Sequence, residues 1–267
     1  MKRLVILVAI AAPAAVCGQY IGNPCGKAVP RGAPSYRATG ACGLAGFDLG
    51  LGRFKVDADY DVVSGGLFGT LRETSELRET YFAFSGGVNV EGFELEGRLG
   101  GTWIELREDL FTEDPFQDGA GVLVGLGLRY GFSPVEFLRL GLGGQFEYSY
   151  TEGDTRVSDG HSVWKEDMTL DLFRGQLFAG ASLDLEAGRD LVFSPYAGGG
   201  LEFLKGELYL EDWHRWFDDE VADFDEKHVG FIFGGLDLHI GGRARIGLEA
   251  RTNFDGWLAQ VSLGIRF

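Results

Sequence analysis

The 267-residue chain is poor in sulfur and in proline: three cysteines, two methionines and seven prolines. Three cysteines, with no CxxC and no Cys/His ligand spacing, exclude a disulfide-stapled mini-domain and a zinc module. Bases are also scarce, 24 against 40 acids, for a net charge of −16. A phosphate-binding surface needs the opposite balance, so nucleic acid is not an expected partner. Beyond the N-terminus no run of about 20 apolar residues occurs, which excludes a membrane-spanning helix in the mature chain. No EF-hand spacing is present. The Gly-x-Gly pairs, such as Gly125-Leu-Gly127, precede no helix and so are not phosphate loops. No cofactor and no metal site are expected. What is abundant is glycine, at 43 residues, within a chain that is 45% hydrophobic. That is too apolar for disorder, and glycine without a collagen period suits a curved all-β structure.

The first 18 residues read as a secretory signal. Lys2 and Arg3 precede a short apolar run, Leu4 to Val16, and cleavage is expected near Gly18. A lipidated Cys17 is the weaker alternative, because Val16 stands where a small residue belongs. Residues 19–46 hold Pro24, Pro30 and Pro34 and read as a periplasmic N-terminal segment. Its two cysteines, Cys25 and Cys42, would pair in an oxidising compartment, with a free pair as the alternative.

From residue 47 to 267 the hydrophobic period is two. Trp257, Ala259, Val261, Leu263, Ile265 and Phe267 share one face of the last segment, and Gln260, Ser262, Gly264 and Arg266 share the other. Ten such segments are expected, near 47–62, 80–91, 92–106, 120–131, 136–150, 169–185, 191–209, 228–240, 243–252 and 256–267. Some change phase midway, at Gly52–Arg53 and Gly234–Gly235, which predicts bulges. Long connections (63–79, 107–119, 151–168, 210–227) alternate with tight ones (90–92, 132–135, 186–190, 241–242). This is the layout of an all-β, closed, antiparallel, up-and-down transmembrane β-barrel of about ten strands, with eight or twelve as alternatives. A soluble sandwich also alternates, but its polar face is seldom so dense in charges of both signs interleaved with glycine. Here that face carries Lys55, Asp57, Asp59, Glu147, Glu202 and Glu249 among others. Aromatic residues at segment ends predict interfacial belts: Phe93, Tyr130 and Phe137 at the turn side, and Tyr81, Trp103, Tyr148 and Tyr150 at the loop side.

The terminal run Val261, Leu263, Ile265 and Phe267 resembles the C-terminal assembly signal of bacterial outer-membrane β-barrel proteins, which end in an aromatic residue on an alternating strand. Residues 21–24 and 52–57 are faintly similar to the start of chlamydial major outer-membrane porins. The resemblance implies insertion into the outer membrane by the barrel-assembly machinery, escort by periplasmic chaperones, and lipid and lipopolysaccharide as surroundings.

Ten strands enclose a modest lumen. Glu94, Glu96, Arg98, Arg129, Arg139, Asp184, Asp237, His239, Arg243, Arg245 and Arg266 are expected to cluster toward its periplasmic end. They would form a salt-bridge network or the constriction of a small channel. Three of the long loops are acidic, with five acids to one base over 107–119, five to two over 151–168 and eight to one over 210–226. Such loops would bias a pore toward cations and hold divalent cations loosely. In loop 210–227, Trp213, Trp216, Phe217 and Phe224 fall on one face of an amphipathic helix and form a candidate contact surface. One catalytic candidate stands out. Asp212-Trp-His214 resembles the Asp-x-His of omptin surface proteases, and Glu108-Asp109 and Glu113-Asp114 are the candidate facing acids. A Ser162–His161 hydrolase pair is disfavoured, because chain neighbours rarely face each other. The expected role is therefore a non-enzymatic integral outer-membrane protein, structural or surface-exposed, with or without a narrow cation-preferring channel. An omptin-like protease and an adhesin presenting loop 210–227 are the alternatives.

Overall fold

The computed structural model describes residue 23 and residues 42–64, 67–107, 116–158, 163–188, 190–210, 220–226, 229–253 and 255–267. The elements are β1 Cys42–Ser64, β2 Leu67–Val90, β3 Phe93–Arg107, β4 Phe116–Val135, β5 Leu138–Ser158 and β6 Val163–Leu183. They continue with β7 Leu185–Glu186, β8 Leu191–Leu210, β9 Glu220–Glu226, β10 Gly230–Ile240, β11 Ala244–Thr252 and β12 Trp257–Arg266. Every pairing is antiparallel; the wall runs in the order β1 to β6, β8, β10, β11 and β12, and β12 returns to β1, from Leu44↔Arg266 to Arg53↔Trp257. That return closes a ten-stranded barrel, with β7 as the short continuation of β6. A closed cylinder leaves no edge strand unpaired, which hydrocarbon requires.

The tight turns have the expected chemistry. Glu91 and Gly92 both have positive φ (51° and 93°), as do Gly241 and Gly242 (57° and 65°). Positive φ at both central residues makes the mirror-image turn whose twist matches the strands on either side.

The long connections differ from expectation. Most of 63–79 and 151–168 is strand, because β1–β2 and β5–β6 continue in register as far as Ser64↔Leu67 and Ser158↔Val163. The first strand starts at Cys42, not at 47, so residues 42–46 belong to the barrel wall. Residues 220–226 form strand β9, not helix. β9 pairs with β8 on one side and with β1 on the other, across Val56–Tyr60. The wall therefore has ten strands through its lower part and eight above the short β11–β12 hairpin.

The expected bulges at Gly52–Arg53 and Gly234–Gly235 are also absent. Pairing runs unbroken through both sites. The register shifts lie elsewhere, between Ile104 and Leu106, Gln117 and Ala120, Phe132 and Val135, and Leu208 and Tyr209. At Gly52–Arg53 it is the surrounding medium that changes, while the side-chain phase is kept. Outward positions of β1 pass from Leu49 and Leu51 to Arg53 and Lys55, while inward positions pass from Asp48 and Gly50 to Phe54, Val56 and Ala58. The same exchange occurs on β3, where exposed Leu99 and Trp103 give way to Glu105 and Arg107. Buried Arg98 and Thr102 give way there to Ile104 and Leu106. On β8 exposed Leu201 and Phe203 lead to exposed Lys205, and buried Glu202 leads to Leu204 and Leu208. The lower tier is thus apolar outside and polar inside, as a membrane-spanning wall must be. The upper tier is polar outside and apolar inside, like a water-soluble barrel. A crossing strand needs about 9–11 residues, and β1, β2, β5 and β6 have 21 to 24. About half of each therefore stands outside the bilayer. Lys55, Asp57 and Asp59, expected on the luminal face, point outward on this upper wall.

Candidate functional site

The lumen gathers most of the singled-out charges. Glu94, Glu96, Arg98, Arg129, Arg139, Asp184, Asp237, His239 and Arg245 all point inward and are buried. Arg243 is instead exposed in the β10–β11 turn, where the chain reverses outside the wall, and Arg266 is half-buried at the end of β12.

The network reads from side to side. Arg129 donates to Glu94 (2.9 Å) and Glu96 (3.1 Å), and reaches Gln145 at 3.5 Å. Gln145 donates to Gln176 (2.6 Å), Gln176 donates to Glu202, and Glu202 also accepts from Arg251. Arg98 bridges Asp48 and Glu147, both at 3.3 Å. Arg174 bridges Glu79 (3.2 Å) and Glu147 (3.5 Å). Arg139 pairs with Asp184 (2.8 Å), which also accepts from Ser194. Arg245 pairs with Asp237 at 3.3 Å. His239 is buried beside this pair in sequence, and neither of its ring nitrogens has a hydrogen-bond partner among the described residues. Near Ser182, Asn23 of the N-terminal segment is fully buried and donates to the serine hydroxyl at 3.1 Å.

Aromatic rings fill the spaces between these charges. Phe178, Tyr196, Phe231 and Phe233 form a cluster, and Arg251 lies 4.1 Å from the Phe231 ring centre. Glycine admits the rings. A Cβ at Gly200 would fall 2.6 Å from Phe231, and one at Gly50 would fall 2.5 Å from Tyr81. Tyr81 itself, expected in the outer aromatic belt, is buried in the lumen and donates to Gln260. Its strand parity points inward, and Phe82 takes the outward place against Trp103.

Above the charges the interior holds a second, apolar layer. Phe54, Val56, Ala58, Leu77, Ile104, Leu106, Phe116, Met168, Leu170, Leu172, Leu204, Leu208 and Phe224 form one buried apolar cluster contributed by seven strands. Phe224 is fully buried there on β9, so it does not belong to an exposed helical face. Sequence reading missed this layer, and it missed Asp48, Glu79 and Arg174. Only Arg174 carried a parity signal, its even spacing from Asp184 just past β6; β1 and β2 bring no second inward charge among the described residues.

Val261, Leu263, Ile265 and Phe267 all face outward on β12, and Phe267 is 78% exposed. Phe267 exchanges two backbone hydrogen bonds with Gly43, which ties the chain's end to its first strand. Cys42 is a buried free thiol, and Cys25 lies outside the described residues. So do Asp212, Trp213, His214, Trp216, Phe217, the acids at 108–114 and the His161–Ser162 pair. Among the described residues no group of three or more His, Cys, Asp or Glu could hold a metal ion.

No protein-family model and no curated protein matches the chain. Solved structures do. The outer-membrane protease OmpT of Escherichia coli aligns with a TM-score of 0.50 at 8% identity, over 85% of this chain and 96% of that one. The translocator domain of the autotransporter NalP of Neisseria meningitidis gives 0.48 at 11% identity, over 87% and 90%. The outer-membrane protein OprG of Pseudomonas aeruginosa gives 0.40 at 11%, over 86% and 96%. The fold is that of the bacterial outer-membrane β-barrels. At these identities the likeness carries the fold alone, and the chemistry has to come from this chain's own residues.

Proposed function

We propose that the protein is a non-enzymatic, non-conducting integral protein of the bacterial outer membrane, whose barrel anchors a β-walled tower at the cell surface. One observation carries this reading: the apolar cluster of the upper tier sits directly above the luminal ion-pair network. Ions would have to cross two layers of opposite character, and a dry apolar layer is the costlier for any charge. The narrow cation-preferring channel is correspondingly disfavoured. The tower's outer wall is built for water. Arg72 pairs with Asp57 (3.6 Å) and Asp59 (3.7 Å), and Lys205 pairs with Glu207 (2.8 Å) and Asp223 (3.8 Å). Export by the 1–18 signal, escort by periplasmic chaperones, insertion by the barrel-assembly machinery, lipopolysaccharide around the outer half and divalent cations at the acidic loops belong to the same reading.

The test is planar-bilayer recording of the refolded mature chain. The expected trace is silent across ±100 mV (roughly 2.3 kcal/mol per unit charge). Discrete, reproducible conductance steps would refute the closed lumen.

A further inference from the structure

One feature of the wall is used by neither the lumen nor the tower. On the outer face of β4, β5 and β6 lies a groove of about 720 Å³, a size typical of ligand pockets. Two outward glycines create it. Gly144 lies between Leu128 of β4 and Leu177 of β6, and Gly175 lies between Phe146 of β5 and Phe203 of β8. A Cβ at Gly175 would meet nothing within 4 Å. The two gaps are diagonal neighbours, so they join into one trough instead of forming two dimples. At the turn end the trough is bounded by Tyr130 and Phe93, whose ring centres are 4.4 Å apart.

The trough lies within the belt that faces hydrocarbon, so its surroundings are acyl chains. Along β4 it runs from Tyr130 to Leu126, four residues or roughly 13 Å, close to half of a ~30 Å hydrocarbon core. At a strand tilt of about 40° this is roughly 10 Å of depth, within the thickness of one leaflet. Its one outward polar group is the Tyr130 hydroxyl, at the turn end of the trough. Arg129, at the same level, points inward and is committed to Glu94 and Glu96.

We propose that this trough is a binding site for one acyl chain of a diacyl phospholipid in the periplasmic leaflet, with the headgroup beside Tyr130. No cation faces outward at the trough, so selection is by chain length and is indifferent to headgroup charge.

The experiment is native mass spectrometry of the full mature barrel released from detergent, titrated with phosphatidylethanolamine carrying 16-carbon chains. The wild type is expected to retain one lipid at low lipid-to-protein ratio. Gly175→Leu, which fills open space, should lower that retention about tenfold or more, a difference of roughly 1.4 kcal/mol. Gly144→Ala should lower it less. Phosphatidylglycerol of the same chain length should be retained equally, and a six-carbon analogue should be lost. Far-ultraviolet dichroism and the heat-dependent gel shift verify that each variant has folded. Equal retention by folded Gly175→Leu would overturn the site. So would retention that follows headgroup and ignores chain length, or binding of small apolar molecules with no lipid retained.

Discussion

Arg129 illustrates how the lumen is held at the level of single residues. Its guanidinium serves two buried carboxylates, Glu94 and Glu96, and neither is open to water. Removing it leaves two like charges facing each other in a confined space, so Arg129→Ala should destabilise the barrel by about 3–5 kcal/mol. Urea unfolding in detergent micelles, followed by tryptophan fluorescence, would measure it, and a loss below about 1 kcal/mol would show that water already screens the cluster. Gly50 poses the opposite problem. Tyr81 occupies the volume a side chain would need, so Gly50→Leu should cost about 1–3 kcal/mol by overpacking, read from the same unfolding curve. Tyr81 also marks a limit of sequence reading. An aromatic residue near a strand end suggests an interfacial belt, yet parity on β2 sends it inward, and its hydroxyl is satisfied by Gln260. Parity is the stronger signal, because a strand cannot reverse one side chain without a bulge.

Single strands carry the inversion between membrane and water. β3 presents Leu99 and Glu105 on the same outer face, three alternations apart. Leu99 is 63% exposed, to hydrocarbon. Leu99→Arg should therefore cost about 2–4 kcal/mol, while Glu105→Gln, which loses only an exposed pairing with Arg107, should stay within about 1 kcal/mol. Refolding yield into lipid vesicles together with unfolding free energy distinguishes them, and equal costs would place the membrane boundary elsewhere. The turns make a second point. Glu91 has φ 51°, where an L side chain with a Cβ is strained by about 1–2 kcal/mol. Glu91→Asn would create the Asn-Gly pair this turn type prefers. A gain near 1 kcal/mol is expected in the same vesicle assay. The tight turns were legible because glycine announces positive φ. The length of the β1–β2 and β5–β6 hairpins was not. Above the membrane their polar residues lie on the outer face, so the pattern resembles a loop to a reader expecting lipid there.

For the whole molecule, the two stacked interiors make one claim that labelling can check. In a chain otherwise free of cysteine, Leu170→Cys should resist a water-soluble thiol reagent, being inside the upper tier. Asp57→Cys, on the outer wall, should react at once. Fast labelling at position 170 would mean that the upper tier admits water and that the lumen is open from above. The same architecture explains why strand number changes along the axis. β11 and β12 have 9 and 10 residues, enough to cross the membrane, and β9 then bridges β8 and β1 where they end. A narrower eight-stranded tier leaves an interior that side chains can fill, and the thirteen-residue apolar cluster fills it.

Alternation, glycine-marked turns and the aromatic C-terminal strand were enough by themselves to specify a closed antiparallel barrel with charged residues inside, since period two and turn chemistry are local properties of the chain. Only the tertiary structure decided what each face meets. Parity says that two residues share a side, but it does not say whether that side touches lipid, water or a packed interior. That depends on how far each strand continues past the bilayer and on which distant strand, such as β9, arrives to close the wall.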